Sequence, residues 1–237
     1  MIGLDRNDKL LIIAPHPDDE IIGCGGLIQK VKNAGGKVYV LFLTVGPTRD
    51  FSIKGFSESQ DRKKEIEKVA SFLKYDGYSI VFEGEDYHLL LDKFGQKNLM
   101  DVIERDNDMS LENILPTIVA FPSVTSYNQD HRIAAHAALA ALRPSDKKHK
   151  HFVPTVICYE EAADGWSTEP SVPPNLFLPL SEIQIQKKIT ALKYYKSQYR
   201  NRPNPRSTDV LLALSELRGS MCGTDFAEAF FTYRLVL

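Results

Sequence analysis

Two short apolar runs, Leu10–Ala14 (LLIIA) and Lys37–Thr44 (KVYVLFLT), bracket a stretch from Glu20 to Ala34. Within that stretch Ile21, Leu27, Ile28 and Val31 recur at helical spacing, and Gly35-Gly36 ends it. Runs so short and so evenly apolar are strands covered on both faces. A strand, helix, strand series of this length closes as a parallel pair with a right-handed crossover. That unit commits the chain to the α/β class.

The alternation continues. Pro47–Ser57 reads as a loop, and Glu58–Tyr75 as a charged amphipathic helix with Ile66, Val69, Phe72 and Leu73 inward. Ser79–Phe82 and Thr117–Phe121 are strands, with helical composition over Asp92–Arg105 between them. Asp130–Leu142 is an Ala-rich helix, Lys147–His151 a solvated basic loop, and Val153–Tyr159 another strand. The proline-rich stretch Glu160–Pro179 reads as irregular. Ser181 caps a helix reaching about Arg200, which NRPNPRS breaks. A second helix runs from Ser207 to about Gly219, and Phe226–Leu237 closes as a strand. No repeat or linker interrupts, so residues 1–237 read as a single domain. Its expected architecture is a Rossmann-like, mainly parallel sheet with helices on both faces. Such sheets bind ligands at the carboxyl ends of their strands. The turns after Ala14, Thr44, Phe121 and Tyr159 therefore share one rim.

A net charge of -2 gives no electrostatic reason to expect nucleic acid or an anionic membrane as partner. The first apolar segment is too short to span a bilayer, and no targeting segment precedes it. Three cysteines, Cys24, Cys158 and Cys222, lack any CxxC spacing. They fit reduced thiols in a cytoplasmic protein better than a disulfide framework. Whether the chain forms a homo-oligomer is left open.

The turn after the first strand reads PHPDDE, residues 15–20. As helix-start chemistry, Asp18 or Asp19 is an N-cap and Glu20 a favourable first-turn charge. What exceeds that reading is His16, held between Pro15 and Pro17, with Asp19 three positions on. An imidazole and a carboxylate from one rigid turn make a preorganised pair of zinc ligands, and Asp18, facing elsewhere, could act as a general base. Gly23, Gly25 and Gly26 let other backbone approach the helix closely. They lack the GxGxxG spacing of a dinucleotide fingerprint. A catalytic zinc needs a third protein ligand from another rim loop. His131, opening the Ala-rich helix, is on that rim. His136 is about 140° further round the same helix and cannot share a metal with it. His88 is a weaker candidate, and His149 and His151 read as solvated.

APHPDDE, then GCGG, then Asn128-Gln129-Asp130-His131 opening an Ala-rich helix, resembles the PIG-L/LmbE-like zinc N-deacetylases. Arg62-x-x-Glu65, Tyr159-Glu160, Ser167-Thr168-Glu169, Pro174–Phe177, Ser197-Gln198, Pro205-Arg206-Ser207 and Ala227–Phe230 extend the resemblance in order over nearly the whole chain. It implies one Zn2+ per chain on His16, Asp19 and His131, with Asp18 as the catalytic base, and Arg62 in contact with substrate near the metal. Where many members have HxDH, this chain has Asn128. An amide NH2 can donate a hydrogen bond to an oxyanion but supplies no charge or proton. Asp130 is implied to support the site by fixing Asn128, Arg62 or the third ligand. Trp166 reads either as a substrate-binding lid residue or as a hydrophobic plug under its loop. Tyr195 and Tyr199, four apart, read as core or interface residues.

The resemblance implies hydrolysis of the acetamido group of an N-acetylglucosamine-type sugar derivative to a free amine and acetate. Three alternatives are an amidase on a non-sugar or thiol-sugar conjugate, a non-catalytic sugar or nucleotide-sugar binding domain, and a magnesium-dependent receiver-type domain. The last leaves His16 and the NQDHR turn without a role, since magnesium prefers oxygen ligands.

Overall fold

The computed structural model describes residues 3–50, 54–167, 169–170 and 173–236. Strand β1 (Lys9–Ala14) feeds helix α1 (Asp19–Asn33) and then β2 (Lys37–Val45). After the short ribbon β3 (Thr48–Arg49) and β4 (Phe56–Ser57) come α2 (Ser59–Leu73) and β5 (Gly77–Glu83). A 3-10 turn (Leu91–Phe94), α3 (Gln96–Glu104) and the single turn α4 (Leu111–Ile114) lead to β6 (Ile118–Phe121). The chain continues through α5 (Gln129–Ala141), β7 (Thr155–Tyr159), a 3-10 turn (Ala162–Gly165) and β8 (Leu176–Leu180). It finishes with α6 (Glu182–Tyr194), α7 (Thr208–Cys222) and β9 (Phe226–Leu235).

Seven strands form one sheet in the order β5-β2-β1-β6-β7-β9-β8. From β5 to β7 all pairs are parallel, while β9 runs antiparallel to both neighbours. Side chains alternate across the sheet as the pleat requires. Leu10, Ile12 and Ala14 of β1 join the core under α1, α2 and α6, whereas Leu11 and Ile13 join the core under α3 and α5. Each fully buried Leu or Ile contributes roughly 2 kcal/mol. Burial on both faces is why the strands read as unbroken apolar runs.

The chain first grows outward from β1 to β2 and β5, then returns to add β6 on the other side of β1. The loops leaving β1 and β6 therefore diverge from adjacent strand ends, and the crevice between them is the place where such sheets bind ligands. Both PHPDDE and the loop ending in His131 leave from this point.

Some expectations change. The proline-rich stretch contains a strand, β8, which pairs with β9 at the sheet edge. An edge tolerates Pro179 because the missing N–H faces no ladder partner. Helix α6 ends at Tyr194 rather than near Arg200, and Ser197 donates its N–H and hydroxyl to Glu65 at 2.9 and 2.6 Å. What presses on the α1 glycines is side chain, not backbone: a Cβ at Gly23 would lie 2.3 Å from the Tyr159 ring. Residues 51–53, Thr168 and Leu237 of the sequence expectations lie outside the described residues. Among those described, no helix is long and apolar enough to cross a membrane.

The basic segment 147–151 is only partly solvated. His151 Nε2 bonds the Pro116 carbonyl at 2.7 Å, and Lys150 is drawn into an ion cluster. Its centre is Glu104, 2% exposed, 2.7 Å from Arg143, 3.0 Å from Lys150 and 2.8 Å from Arg105. Burial raises the Glu104 pKa, but hydrogen bonds from Arg143 and Lys150 outweigh it and hold the carboxyl at about 2. A depressed folded-state pKa gives stability that is complete above the ordinary Glu range and is lost as pH falls toward 2. Glu104→Gln should lower the urea midpoint at pH 7, with a loss of about 2 kcal/mol or more. The deficit should shrink between pH 4.5 and 2; a constant deficit would mean that the cluster does not depend on the charge.

Candidate metal centre and active site

Pro15 and Pro17 fix the turn after β1, and Thr44 at the end of β2 anchors it. Its N–H and hydroxyl both donate to the Pro15 carbonyl at 3.0 Å. Asp18 then takes the N-cap position of α1 with φ 119°, a left-handed backbone rarely adopted by a residue with a Cβ. Its carbonyl accepts the first helical bonds, but its carboxylate makes no capping bond. The side chain is fully buried, and neither oxygen has a hydrogen-bond partner among the described residues. Burial pushes its pKa up to about 6, against the pull of Arg206.

His16, Asp19 and His131 are all buried, and one ligand atom from each lies within 4.8 Å of the others. The His16 backbone N–H donates to Asp19 Oδ2 at 2.8 Å, and His16 Nδ1 lies 3.4 Å from the same oxygen. His131 Nε2 stands 3.2 Å from it without hydrogen-bond geometry. Asp19 Oδ1 and His131 Nδ1 also lack partners among the described residues. Buried polar atoms are rarely left so. Two imidazoles and a carboxylate converging in this way could hold a divalent metal ion such as zinc. The two imidazoles outweigh burial and hold Asp19 well below the usual carboxylate range.

Asp130 acts on the first ligand, not on Arg62 or His131. Its Oδ2 lies 3.0 Å from His16 Nε2, and its Oδ1 accepts the Leu91 N–H at 3.0 Å. A hydrogen bond given by His16 Nε2 to this carboxylate would leave Nδ1, 3.4 Å from Asp19 Oδ2, as the nitrogen for a metal. Asn128 caps α5, its Oδ1 accepting the Asp130 N–H at 2.9 Å. Any bond it gives an oxyanion must come from its NH2.

Arg62 on α2 is fully buried. It donates to the Gly46 carbonyl at 2.8 Å and lies 3.2 Å from His88 Nε2, while its Nε and the other NH2 group have no partner among the described residues. Burial brings its pKa down to about 10. His88 is thus no ligand. Burial and Arg62 hold it neutral, near 2, with Nε2 accepting from Arg62 and Nδ1 facing Thr44 Oγ1 at 3.5 Å. An added Cβ at Gly46 would lie 2.4 Å from His88, so close approach demands glycine there.

Arg206, not singled out from sequence except within Pro205-Arg206-Ser207, brings its Nε within 3.7 Å of Asp18 Oδ2 and donates to Gln198 Oε1 at 2.9 Å. Asp18 raises its pKa. Glu161 and Asp164, in the turn after β7, were also missed. Both are buried, each keeps one oxygen unpartnered among the described residues, and burial raises both pKa values. The signal was present as a second acidic residue beside Tyr159-Glu160. Glu160 itself faces outward to Arg218. Trp166 is 82% exposed and no plug. Tyr195 is core, its hydroxyl donating to the buried Glu20.

A family model described as GlcNAc-PI de-N-acetylase (PIG-L) matches residues 11–142. The diacetylchitobiose deacetylase of Thermococcus kodakarensis is 25% identical over 229 residues, 93% of this chain and 81% of that one. The N,N'-diacetylchitobiose deacetylase of Pyrococcus horikoshii superposes with a TM-score of 0.70 at 18% identity, over 98% of this chain and 87% of that one. GalB of Pseudomonas putida, a 4-carboxy-2-hydroxymuconate hydratase, superposes at 0.65 and 20% identity, over 97% and 98%. At such identities structural likeness speaks to fold alone, and this fold serves more than one chemistry.

The left-handed backbone at Asp18 can be tested apart from its charge. Asp18→Gly and Asp18→Ala both delete the carboxylate, so their difference isolates the backbone. The glycine variant should be more stable by about 1–2 kcal/mol in thermal unfolding; equal midpoints would mean that no strain is held there.

Proposed function

The chain belongs to the PIG-L (GlcNAc-PI de-N-acetylase) family, and on that premise we propose that it is a zinc-dependent N-deacetylase acting on an N-acetylglucosamine-type sugar derivative. The observation that carries this reading is the buried set His16, Asp19 and His131 beside a carboxylate, Asp18, left without a hydrogen-bond partner among the described residues. Residues 1–237 act as one deacetylase domain. Cys24, Cys158 and Cys222 are all free, which suits the cytoplasm.

An amide resists hydrolysis because water is a weak nucleophile and an amine a poor leaving group. Zinc held by the three ligands would lower the pKa of the attacking water to about 7 and draw charge from the acetyl carbonyl. Asp18 accepts the proton of that water as it attacks, then returns it to the departing nitrogen. The Asn128 NH2 donates to the carbonyl oxygen as it becomes an oxyanion. Arg62, held by Gly46 and His88, offers its remaining N–H groups to the sugar. Arg206 keeps Asp18 oriented, and Asp130 keeps His16 in the tautomer a metal requires. The products are acetate and a free amine.

Acetate release from a panel of N-acetylglucosamine derivatives, with metal-stripped and zinc-restored protein side by side, tests the assignment. Release should appear only on restoring metal, and its absence from every derivative with zinc bound would overturn it. Asp18→Asn should abolish release while still binding one zinc; full activity would remove Asp18 from the mechanism. Asp130→Ala should weaken zinc affinity by about 10- to 100-fold, measured by competition with a chromogenic chelator.

A further inference from the structure

Glu20 has no part in the reaction as derived, yet it is fully buried in the first turn of α1, two positions after Asp18. A carboxyl held so deep needs partners, and those it has lie at a junction of three elements. Its Oε2 accepts the backbone N–H of Asp18 at 3.2 Å. Its Oε1 accepts two phenol hydroxyls, from Tyr75 at 3.2 Å and from the buried Tyr195. Tyr75 stands just beyond α2, where Lys74 with φ 60° ends the helix, and Tyr195 closes α6. The ends of two helices remote in sequence thus grip one oxygen of Glu20, while the other oxygen grips Asp18.

That last bond bears on the Asp18 side chain. An Asp at an N-cap ordinarily folds its carboxylate back onto a helix N–H, while an acidic side chain of the first turn reaches back to the N–H of the cap. Here only the second half of the exchange is kept. Glu20 takes the Asp18 N–H, whereas the Asp18 carboxylate makes no capping bond, and neither of its oxygens has a hydrogen-bond partner among the described residues. The backbone at Asp18 has φ 119°, a conformation that persists only where its surroundings over-determine it. Thr44 fixes the turn ahead of Asp18 through the Pro15 carbonyl, and Glu20 fixes Asp18 itself.

We propose that Glu20, clamped by Tyr75 and Tyr195, is the positioning residue that holds Asp18 in its left-handed turn and keeps the Asp18 carboxylate out of the helix cap. Resting on the deacetylase reading for its catalytic consequence, this makes the clamp a determinant of proton transfer by Asp18 and not of metal binding. The last residue of HPDDE then serves the third, and the ends of α2 and α6 set the geometry of the base.

Glu20→Gln tests the clamp, because an amide has one accepting oxygen and an NH2 that cannot accept. Either the tyrosine hydroxyls or the Asp18 N–H then loses its acceptor. The Asp18 amide proton, followed by NMR with isotope-labelled aspartate, should exchange slowly in the wild-type protein and about tenfold faster in the variant. Zinc affinity, measured by competition with a chromogenic chelator, should be unchanged. In acetate release kcat should fall about 100-fold while KM stays the same. Tyr195→Phe loosens Glu20 without altering it and should show the same split to a lesser degree, so the outcome does not depend on Glu20→Gln folding. Wild-type exchange at Asp18 in both variants would overturn the proposal. So would a parallel loss of zinc affinity and kcat, which would make Glu20 a support for the helix that carries Asp19. Faster exchange at Asp18 in a protein whose wild type releases no acetate from any substrate would support the clamp and remove the deacetylase. Acetate release that neither variant slows would leave the deacetylase standing and remove the clamp.

Discussion

Asp18, Asp19, Asp130, Glu161 and Asp164 are all buried along one stretch of rim, where Arg206 and Arg62 are the cations that act on Asp18. Carboxylates crowded out of water repel one another and lose their hydration, so each must find donors, bind a proton or share a cation. Asp130 spends one oxygen on the backbone and the other on His16. Glu20 takes the hydroxyls of Tyr75 and Tyr195 and the Asp18 N–H, and burial still pushes it up to about 8. Asp18 and Asp19 keep oxygens with no hydrogen-bond partner among the described residues. A divalent cation offsets this arrangement more completely than any side chain available, and the motifs around it can be read as the means of holding that charge in place.

Several of those motifs act at a distance from the reaction. Glu65 of the Arg62-x-x-Glu65 pair fixes Ser197, the residue before Gln198, and Gln198 in turn accepts from Arg206. Glu228 of the C-terminal motif accepts the N–H groups of Gly26 and Leu27 while paired with Lys188 at 2.7 Å. The glycines of α1 thus make room for Tyr159, Lys188, Leu180 and Glu228. The helix that carries Asp19 is locked to the far edge of the sheet through buried polar contacts, which rigidify when every member is satisfied.

How far the chain could be read in advance follows from how local each cause is. LLIIA and KVYVLFLT declare themselves because burial on both faces needs nothing from elsewhere in the chain. PHPDDE declares a metal turn because two prolines and an acidic pair act within six residues. Strand β8 stayed hidden because an edge strand beside irregular backbone can carry Pro179 and needs little apolar alternation. Arg206 and Glu161 stayed hidden for a different reason. An arginine in a proline-rich loop or a second acidic residue after a strand becomes chemical only when the fold delivers it to Asp18 or Asp19. His88, in the turn after β5, is a candidate ligand by residue type alone, and its neighbour Arg62 comes from α2. Asp130 was read as supporting, but its partner proved to be His16 across the switch in strand order.

The pairing of Leu10 with Ile118 and Ile12 with Ala120 places the two ligand-bearing loops side by side. A slip of one residue in that register would displace one loop by about 3.3 Å and turn alternate side chains to the opposite face. His131 would then part from His16 and Asp19, although every strand and helix could still form. A metal ion held by these three residues, as proposed, would therefore proofread the sheet: only the correctly threaded molecule would gain its binding energy, and a misaligned chain would be outcompeted.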